Sequence, residues 1–259
     1  VFSDPFALTL QTDNSNVGGV GPLAATNFQG EPADVITGLE LCLPLNEIGW
    51  DGSSPITVCG CGNGGGSDFL SNQVAGGYLA GAAVGDGGQV GPPPFDFDDD
   101  VTNPYVTGDQ FVTVTNVQLG AVAITVDGTA DEPEWSDNSS EPLIYVNGVA
   151  VPPSGTENPT SFADNNDPSD FAAHGSACDA IRAFRTGSTL YVHIAGNMES
   201  NFNKLDIFID CDVAGPNQNP LPGTPAPNYG GLGAMANSIF DAAFAPVRAD
   251  YLRRMPARR

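Results

Sequence analysis

Clusters of carboxylate side chains are the first feature of this sequence with a chemical use. The segment FDFDDD carries four aspartates: Asp96, Asp98, Asp99 and Asp100. A second acidic group follows a predicted strand: Asp127, Asp131, Glu132 and Glu134. Ca²⁺ prefers hard oxygen ligands of this kind, although neither group has EF-hand spacing. We therefore expect one of two arrangements. The first is solvated acidic loops, and the second is a Ca²⁺ site at Asp96, Asp98, Asp99, Asp100, Asp127 and Asp131.

Catalytic patterns are missing from the sequence. Its two histidines are His174 and His193, and no G-x-S-x-G motif accompanies them, so a Ser-His-Asp triad is not expected. Asp206 and Asp210 share one face of a predicted strand, where an exposed polar face is a plainer interpretation than the acid and base of a glycosidase. We predict that the protein is not an enzyme.

Aromatic rings on the surface of a β-sheet would let the protein bind sugars, because a flat ring stacks against the C–H face of a pyranose. The candidate carbohydrate-binding residues are Trp50, Trp135 and Tyr78. Packing of the tryptophans in the core is the alternative.

Cysteine usage favours an oxidising compartment. The five cysteines are Cys42, Cys59, Cys61, Cys178 and Cys211. An odd number permits two disulfides and one free thiol or an intermolecular bridge. The alternative is a cytosolic protein with five buried free thiols. We expect Cys42 to pair with Cys59 or Cys61, and Cys178 to pair with Cys211; zinc-finger spacing is not present.

One motif concerns modification. Asn138 begins an Asn-Ser-Ser acceptor pattern, which predicts glycosylation in a host that glycosylates.

Charge excludes several kinds of partner. The chain has 31 acidic and 8 basic residues and a net charge of -23, which disfavours nucleic acid and anionic lipid surfaces. The weakly polar run at 75–85 is about half the ~20 residues that a membrane helix needs, so membrane insertion is not expected. Most of the positive charge lies at the C-terminal end, at Arg248, Arg253, Arg254, Arg258 and Arg259.

The elements that must position these residues are predicted to be strands. Runs rich in β-branched and aromatic residues recur between Gly, Pro and Asn clusters, as at 35–45, 56–61, 189–197 and 204–212. Apolar residues alternate within 189–197 and within 204–212, as in strands with one face on a core. We predict an all-β fold, an antiparallel β-sandwich of the jelly-roll or immunoglobulin-like kind with long loops and little helix. We also predict a hairpin between 189–197 and 204–212, and a short helix in the C-terminal tail.

Five segments resemble a known family. They are TGLELCLPLNEIGWDG (37–52), NGGGSDFLSNQVAGG (63–77), VDGTADEPEW (126–135), LYVHIAGNMESNFNKLDIFID (190–210) and IFDAAFAP (239–246). Together they resemble secreted bacterial proteins, especially of planctomycetes, that carry a β-sandwich related to DOMON domains and family-nine carbohydrate-binding modules. The resemblance implies a sandwich fold and secretion, but a fold by itself does not fix an activity.

The order of these segments is rotated relative to the family. Residues 1–119 are similar to the later strands of its sandwich, residues 120–246 are similar to its earlier strands, and residues 247–259 form a basic C-terminal tail. Three explanations are open: a circular permutation closed within one chain, half-domains completed by strands of neighbouring copies, or a fragment of a tandem array. The termini of a domain usually lie close together, which favours the first. The second, completion by neighbouring copies, would cover the open sheet edges of a half-domain with strands of the neighbour.

We therefore expect a non-catalytic extracellular or cell-surface protein, a self-assembling surface or fibre subunit. The alternative is a carbohydrate-binding module supported by Ca²⁺, with polysaccharide as its partner. A more remote alternative is a DOMON-like haem or redox domain, although no haem motif surrounds the available ligands Met198, Met235, His174 and His193.

Overall fold

Strands dominate the structure, which is a computed structural model. It describes residues 8–13, 15, 36–63, 70–75, 77–78, 111–114, 117–118, 124–136, 177–197, 204–211, 235–240, 244 and 248–252. Within these residues the helix α1 is a single short turn, Pro133–Ser136. The predicted all-β class is therefore confirmed. No helix of the described residues is long and apolar enough to span a bilayer.

The described strands form two sheets. In chain order they are β1 (Thr9–Thr12), β2 (Gly38–Pro44), β3 (Thr57–Asn63), β4 (Leu70–Ala75), β5 (Gly77–Tyr78), β6 (Val112–Thr113), β7 (Val117–Gln118), β8 (Ala177–Thr186), β9 (Thr189–Asn197), β10 (Lys204–Asp210) and β11 (Arg248–Leu252). The five-stranded sheet has the order β1-β2-β9-β8-β7. The six-stranded sheet has the order β11-β10-β3-β4-β5, and β6 also pairs with β3. All of these pairs are antiparallel except β7 with β8.

The main core lies between the two sheets. Alternate residues of β2 and β9 face it from one side, and alternate residues of β10 face it from the other. These residues are Leu39, Leu41, Leu43, Leu190, Val192, Ile194, Leu205, Ile207 and Ile209. Full burial of one such side chain stabilises the fold by roughly 1.5–3 kcal/mol. The predicted antiparallel sandwich and the predicted core faces of β9 and β10 are both confirmed.

The predicted hairpin of β9 and β10 is wrong. β9 pairs with β2 and β8, whereas β10 pairs with β3 and β11. The two strands thus lie in opposite sheets and face one another across the core. Alternation of apolar residues shows which face a strand buries, but it does not select the partner strand, because both arrangements bury the same side chains.

The outer face of the six-stranded sheet is covered by aromatic side chains. Phe208 alternates with the core residues of β10, and its ring lies 4.9 Å from the ring of Phe240. Phe244 stacks on Phe111 at 5.4 Å and contacts Phe240 at 5.3 Å. All four rings are buried. Residues 235–240 together with Phe244 therefore form a further layer on this sheet.

Each sheet combines strands from 1–119 with strands from 120–246. In the five-stranded sheet β2 pairs with β9, and in the six-stranded sheet β3 pairs with β10. The tail contributes β11, which pairs with β10. The short helix predicted in this tail is wrong, since its residues extend the sheet instead.

Leu190 tests the contribution of the core. It has no exposed surface, so the substitution Leu190→Ala should lower the free energy of unfolding by about 2–5 kcal/mol through lost transfer energy and a residual cavity. Ile239 is 41% exposed, and Ile239→Ala should change stability by less than about 0.5 kcal/mol. Urea denaturation followed by circular dichroism measures both, and equal effects would contradict this description of the core.

Candidate functional site

A row of ionisable side chains crosses the outer face of the five-stranded sheet. Glu40 of β2 lies opposite His193 of β9, and His193 lies opposite Arg182 of β8. All three alternate with core residues, so they point away from the core. Glu40 and His193 are 0% exposed and Arg182 is 7% exposed. Charged side chains are almost never buried to this degree unless they are paired, which makes this row the candidate functional site.

Residues 124–136, which we call the cover segment, lie over this row. The Gly38 amide donates to the Gly128 carbonyl at 2.9 Å, and the Ala130 amide donates to the Ile36 carbonyl at 2.7 Å. Thr129 of the cover segment also forms an antiparallel bridge with the residue before β2. Backbone hydrogen bonds therefore attach the cover segment beside the start of β2.

Glu40 adds a side-chain attachment for the cover segment. Its Oε2 accepts hydrogen bonds from the amides of Asp127 at 2.9 Å and Gly128 at 3.1 Å. Burial raises the pKa of Glu40 above its ordinary value, the two amides oppose this shift, and the charges of Glu132 and Asp127 add to it. The buried carboxylate thus satisfies two amides that the turn would otherwise leave unpaired.

The turn itself requires glycine at position 128. Gly128 has a φ of 95°, a conformation that side chains disfavour. A β carbon there would also collide with the backbone of Thr12 and Asp13. Glycine therefore lets the cover segment approach β1 closely enough to direct its amides at Glu40.

The contact between Arg182 and His193 fixes where the imidazole carries its proton. Arg182 Nη1 lies 3.2 Å from His193 Nδ1. A guanidinium donates and cannot accept, so Nδ1 must be the acceptor and the ring must be neutral, with its proton on Nε2. Burial lowers the pKa of His193 to about 3, the Arg182 charge lowers it further, and the carbonyls of Gly128 and Ile36 oppose the shift.

Aromatic rings complete the cover. Trp135 is 3% exposed and packs edge-on against Phe184 at 4.9 Å. Phe184 stacks on Tyr191 at 5.0 Å, and the Trp135 ring lies 5.8 Å from the His193 ring. The cover segment therefore encloses the row with a small apolar cluster of its own.

Four polar atoms of this site are buried without a hydrogen-bond partner among the described residues. They are Glu40 Oε1, Glu132 Oε2, Trp135 Nε1 and His193 Nε2. The second oxygen of Glu132 accepts from the Thr125 amide at 2.7 Å. An unmade hydrogen bond in the interior costs about 1–3 kcal/mol. Burial of these unpaired polar atoms therefore lowers the stability of the closed arrangement. The apolar contacts and hydrogen bonds of the cover segment offset that cost.

The predicted sugar-binding residues have different surroundings. Trp135 is interior, which confirms core packing, the alternative given for the tryptophans, and contradicts an exposed platform at this residue. Trp50 is half-buried, donates from Nε1 to the Ser54 carbonyl at 2.8 Å, and has the Arg185 guanidinium over its ring at 4.6 Å. Tyr78 lies on β5, and its side chain is outside the described residues.

Two of the predicted metal ligands lie within the described residues. Asp127 and Asp131 are exposed, and Asp127 Oδ1 accepts from the Thr129 amide at 3.0 Å. In the part of the chain that the structure describes, no group of three or more His, Cys, Asp or Glu residues is placed to hold a metal ion. The other predicted ligands and the predicted acceptor of glycosylation lie outside the described residues: Asp96, Asp98, Asp99, Asp100 and Asn138.

The predicted disulfide of Cys42 with Cys59 or Cys61 is wrong. Cys42 alternates with core leucines and points outward from the five-stranded sheet, whereas Cys59 and Cys61 alternate with the core residue Val58 of the other sheet. The thiol of Cys42 and those of Cys59 and Cys61 therefore lie on opposite outer faces of the sandwich. A disulfide allows a Cα–Cα separation of about 4.4–6.8 Å, which this placement exceeds.

The predicted pairing of Cys178 with Cys211 is not formed either. Cys211 is a thiol in the core, and its Sγ donates to the Ile48 carbonyl at 3.7 Å. The side chain of Cys178 is outside the described residues.

Sequence reasoning missed the ionisable row. It named His193 only as one of the two histidines and as an available haem ligand, and it did not single out Glu40 or Arg182. The sequence does place a charged or titratable residue at an outward position of β2, of β8 and of β9. These residues did not stand out, because outward positions of an antiparallel sheet ordinarily face water. The expectation that an outward residue is exposed was also wrong for Asp206. This residue is 4% exposed, because it shares a covered outer face with Phe208.

Comparison of the chain with family models, curated proteins and solved structures finds no match. The resemblance to secreted bacterial β-sandwich proteins therefore stays a prediction based on the segments quoted above.

Glu40 provides a direct test of the cover attachment. Glu40→Ala leaves the amides of Asp127 and Gly128 without their acceptor, and it should lower stability by about 1–3 kcal/mol. Glu40→Gln keeps a carbonyl oxygen in the same place, so its effect should be smaller. Hydrogen exchange at these two amides is the measurement. Equal loss of protection in both variants, or none in either, would contradict the assignment.

Proposed function

We propose that this protein is a non-catalytic structural or interaction subunit that acts outside the cell and associates with further copies of itself through its sheet edges. The observation that carries the proposal is the position of β11. It lies at the end of the six-stranded sheet and, among the described residues, pairs with β10 alone. An edge strand presents a row of backbone amides and carbonyls to which another strand can add.

The charge distribution supports this edge as the contact. β11 begins the segment that holds five of the eight basic residues of the chain, and Asp250 is the single acidic residue of that segment. The rest of the chain is strongly acidic. Opposite charges on two copies attract when the basic segment of one approaches the acidic body of the next, and this attraction favours head-to-tail contact over separation.

The enclosure of the ionisable row supports a non-catalytic role. Glu40, His193 and Arg182 are buried, and they lie beneath the cover segment. A substrate would have to displace that segment to reach them. Their contacts instead hold one part of the chain to another, which is a structural task.

The extracellular assignment is supported by composition and by the resemblance. Charged residues are only 15% of the chain, whereas Gly and Pro are abundant, and the quoted segments resemble secreted proteins. The carbohydrate-binding alternative has less support, because one of its two tryptophans is interior.

Removal of residues 247–259 should weaken self-association. Sedimentation velocity over a range of concentrations is the measurement, and we expect larger species for the full chain than for the truncated chain. Repeating it at about 0.01 M and 1 M salt, where the Debye length is about 30 Å and 3 Å, separates the charge contribution from strand pairing. A full chain that stays monomeric at every concentration would contradict the proposal.

Two proline variants give a matched control for strand addition. Neighbouring residues of a strand direct their amides to opposite edges of that strand. Of the two variants Ala249→Pro and Asp250→Pro, one therefore removes an amide that points away from the sheet, and the other removes an amide that faces β10. The outward variant should retain the fold by circular dichroism and still lose association. Full association in both variants would assign the contact elsewhere.

A further inference from the structure

We propose that the cover segment is an acid-sensitive lid whose release from the five-stranded sheet is coupled to protonation of His193. This inference does not depend on the proposed self-association. It rests on the position of the His193 imidazole, which is neutral and fully buried. This ring lies between the charged Arg182 guanidinium and the cover segment, which shields it from water.

The geometry at Nδ1 makes the closed state incompatible with a protonated ring. His193 Nδ1 lies 3.2 Å from Arg182 Nη1, and a guanidinium in a protein keeps its charge and donates only. A proton added to Nδ1 would place two donors and two positive charges against each other. The ring can therefore accept a proton only if this contact breaks and water reaches the site.

The cover segment is the element that shields this ring. Trp135 lies 5.8 Å from it, and the Gly128 carbonyl of the same segment contributes to its surroundings. Among the described residues, four hydrogen bonds attach the segment: two to Glu40, one from the Gly38 amide to the Gly128 carbonyl, and one from the Ala130 amide to the Ile36 carbonyl. These hydrogen bonds can break together while the core between the two sheets stays intact, because none of them belongs to the contact between the sheets.

The charged groups around the ring come from three elements. Arg182 of β8 opposes its protonation. Glu40 of β2 lies opposite His193, and the cover segment carries the acidic residues Glu132 and Asp127. The carbonyls of Gly128 and Ile36 favour protonation of the ring. Burial and Arg182 outweigh these groups, because the pKa of His193 falls to about 3 in the closed state.

The direction of the pH effect follows from these values. The ordinary pKa of a solvated histidine is 6.5 and the closed value is about 3, so the closed state is fully favoured above pH 6.5 and loses stability as the pH falls toward 3. The contribution of His193 alone should lower the ratio of closed to open about 30-fold from about pH 7.5 to about pH 5. Glu40 acts in the opposite sense, because its raised pKa makes proton binding favour the closed state. Its effect falls between the ordinary pKa of 4.5 and the raised value, so it offsets part of the His193 effect.

Hydrogen exchange of the intact chain measures this opening. After correction for the intrinsic pH dependence of exchange, protection of the Ala130 and Gly128 amides should fall by at most about 30-fold between the two pH values, while protection of the β9 amides stays constant. An equal fall at β9 would assign the effect to global unfolding and overturn the proposal. Unchanged protection at Ala130 would also overturn it.

A single-tryptophan protein gives an independent readout. Trp50→Phe leaves Trp135 as the sole tryptophan, and its emission should shift to longer wavelength on acidification as the ring enters water, with an unchanged far-ultraviolet circular dichroism spectrum. Emission that stays constant to pH 4 while Ala130 remains protected would show that the segment does not open.

His193→Gln supplies the matched variant, because glutamine stays neutral over the whole range. The pH dependence at Ala130 should disappear in it, and a dependence equal to that of the unmodified chain would assign the effect to another group. If this variant does not fold, His174→Gln leaves His193 as the sole histidine for titration by nuclear magnetic resonance. A ring that titrates near 6.5 with the cover still closed would overturn the proposal.

Discussion

Burial of both faces of the five-stranded sheet is the constraint on which the rest of this structure depends. The inner face packs against the second sheet through apolar residues such as Leu41, Val192 and Ile181. The outer face carries Glu40, His193 and Arg182, which would be costly to bury on their own. The cover segment makes that burial possible, because it brings two backbone amides to the carboxylate and apolar rings to the remaining surface.

The same principle operates on the other side of the molecule. There the outer face of the six-stranded sheet is covered by Phe240 and Phe244, which pack with Phe208 and Phe111. The two covers differ in chemistry. One is largely aromatic and also covers Asp206, whereas the other encloses a histidine, a glutamate and an arginine. The lid is assigned to the second, because there a buried histidine lies 3.2 Å from an arginine.

The two covers leave the ends of the sheets as the places where a further strand could pair. Among the described residues, β11 of the basic tail ends the six-stranded sheet and β1 ends the five-stranded sheet. The proposed assembly would use the β11 end, and so it connects with the fold.

The sequence by itself determined the strand class and the core faces, because alternation at Leu190, Val192 and Ile194 depends only on the period of a strand. It did not determine which strands pair, so the hairpin of β9 with β10 and the disulfide at Cys42 were wrong. Nor did it reveal the row of Glu40, His193 and Arg182, because Glu40 comes from β2, far in the chain from the consecutive strands β8 and β9 that carry the other two. Only the tertiary structure decided that these outward residues face the cover segment rather than water, because burial is a property of what packs against a face and not of the strand that presents it.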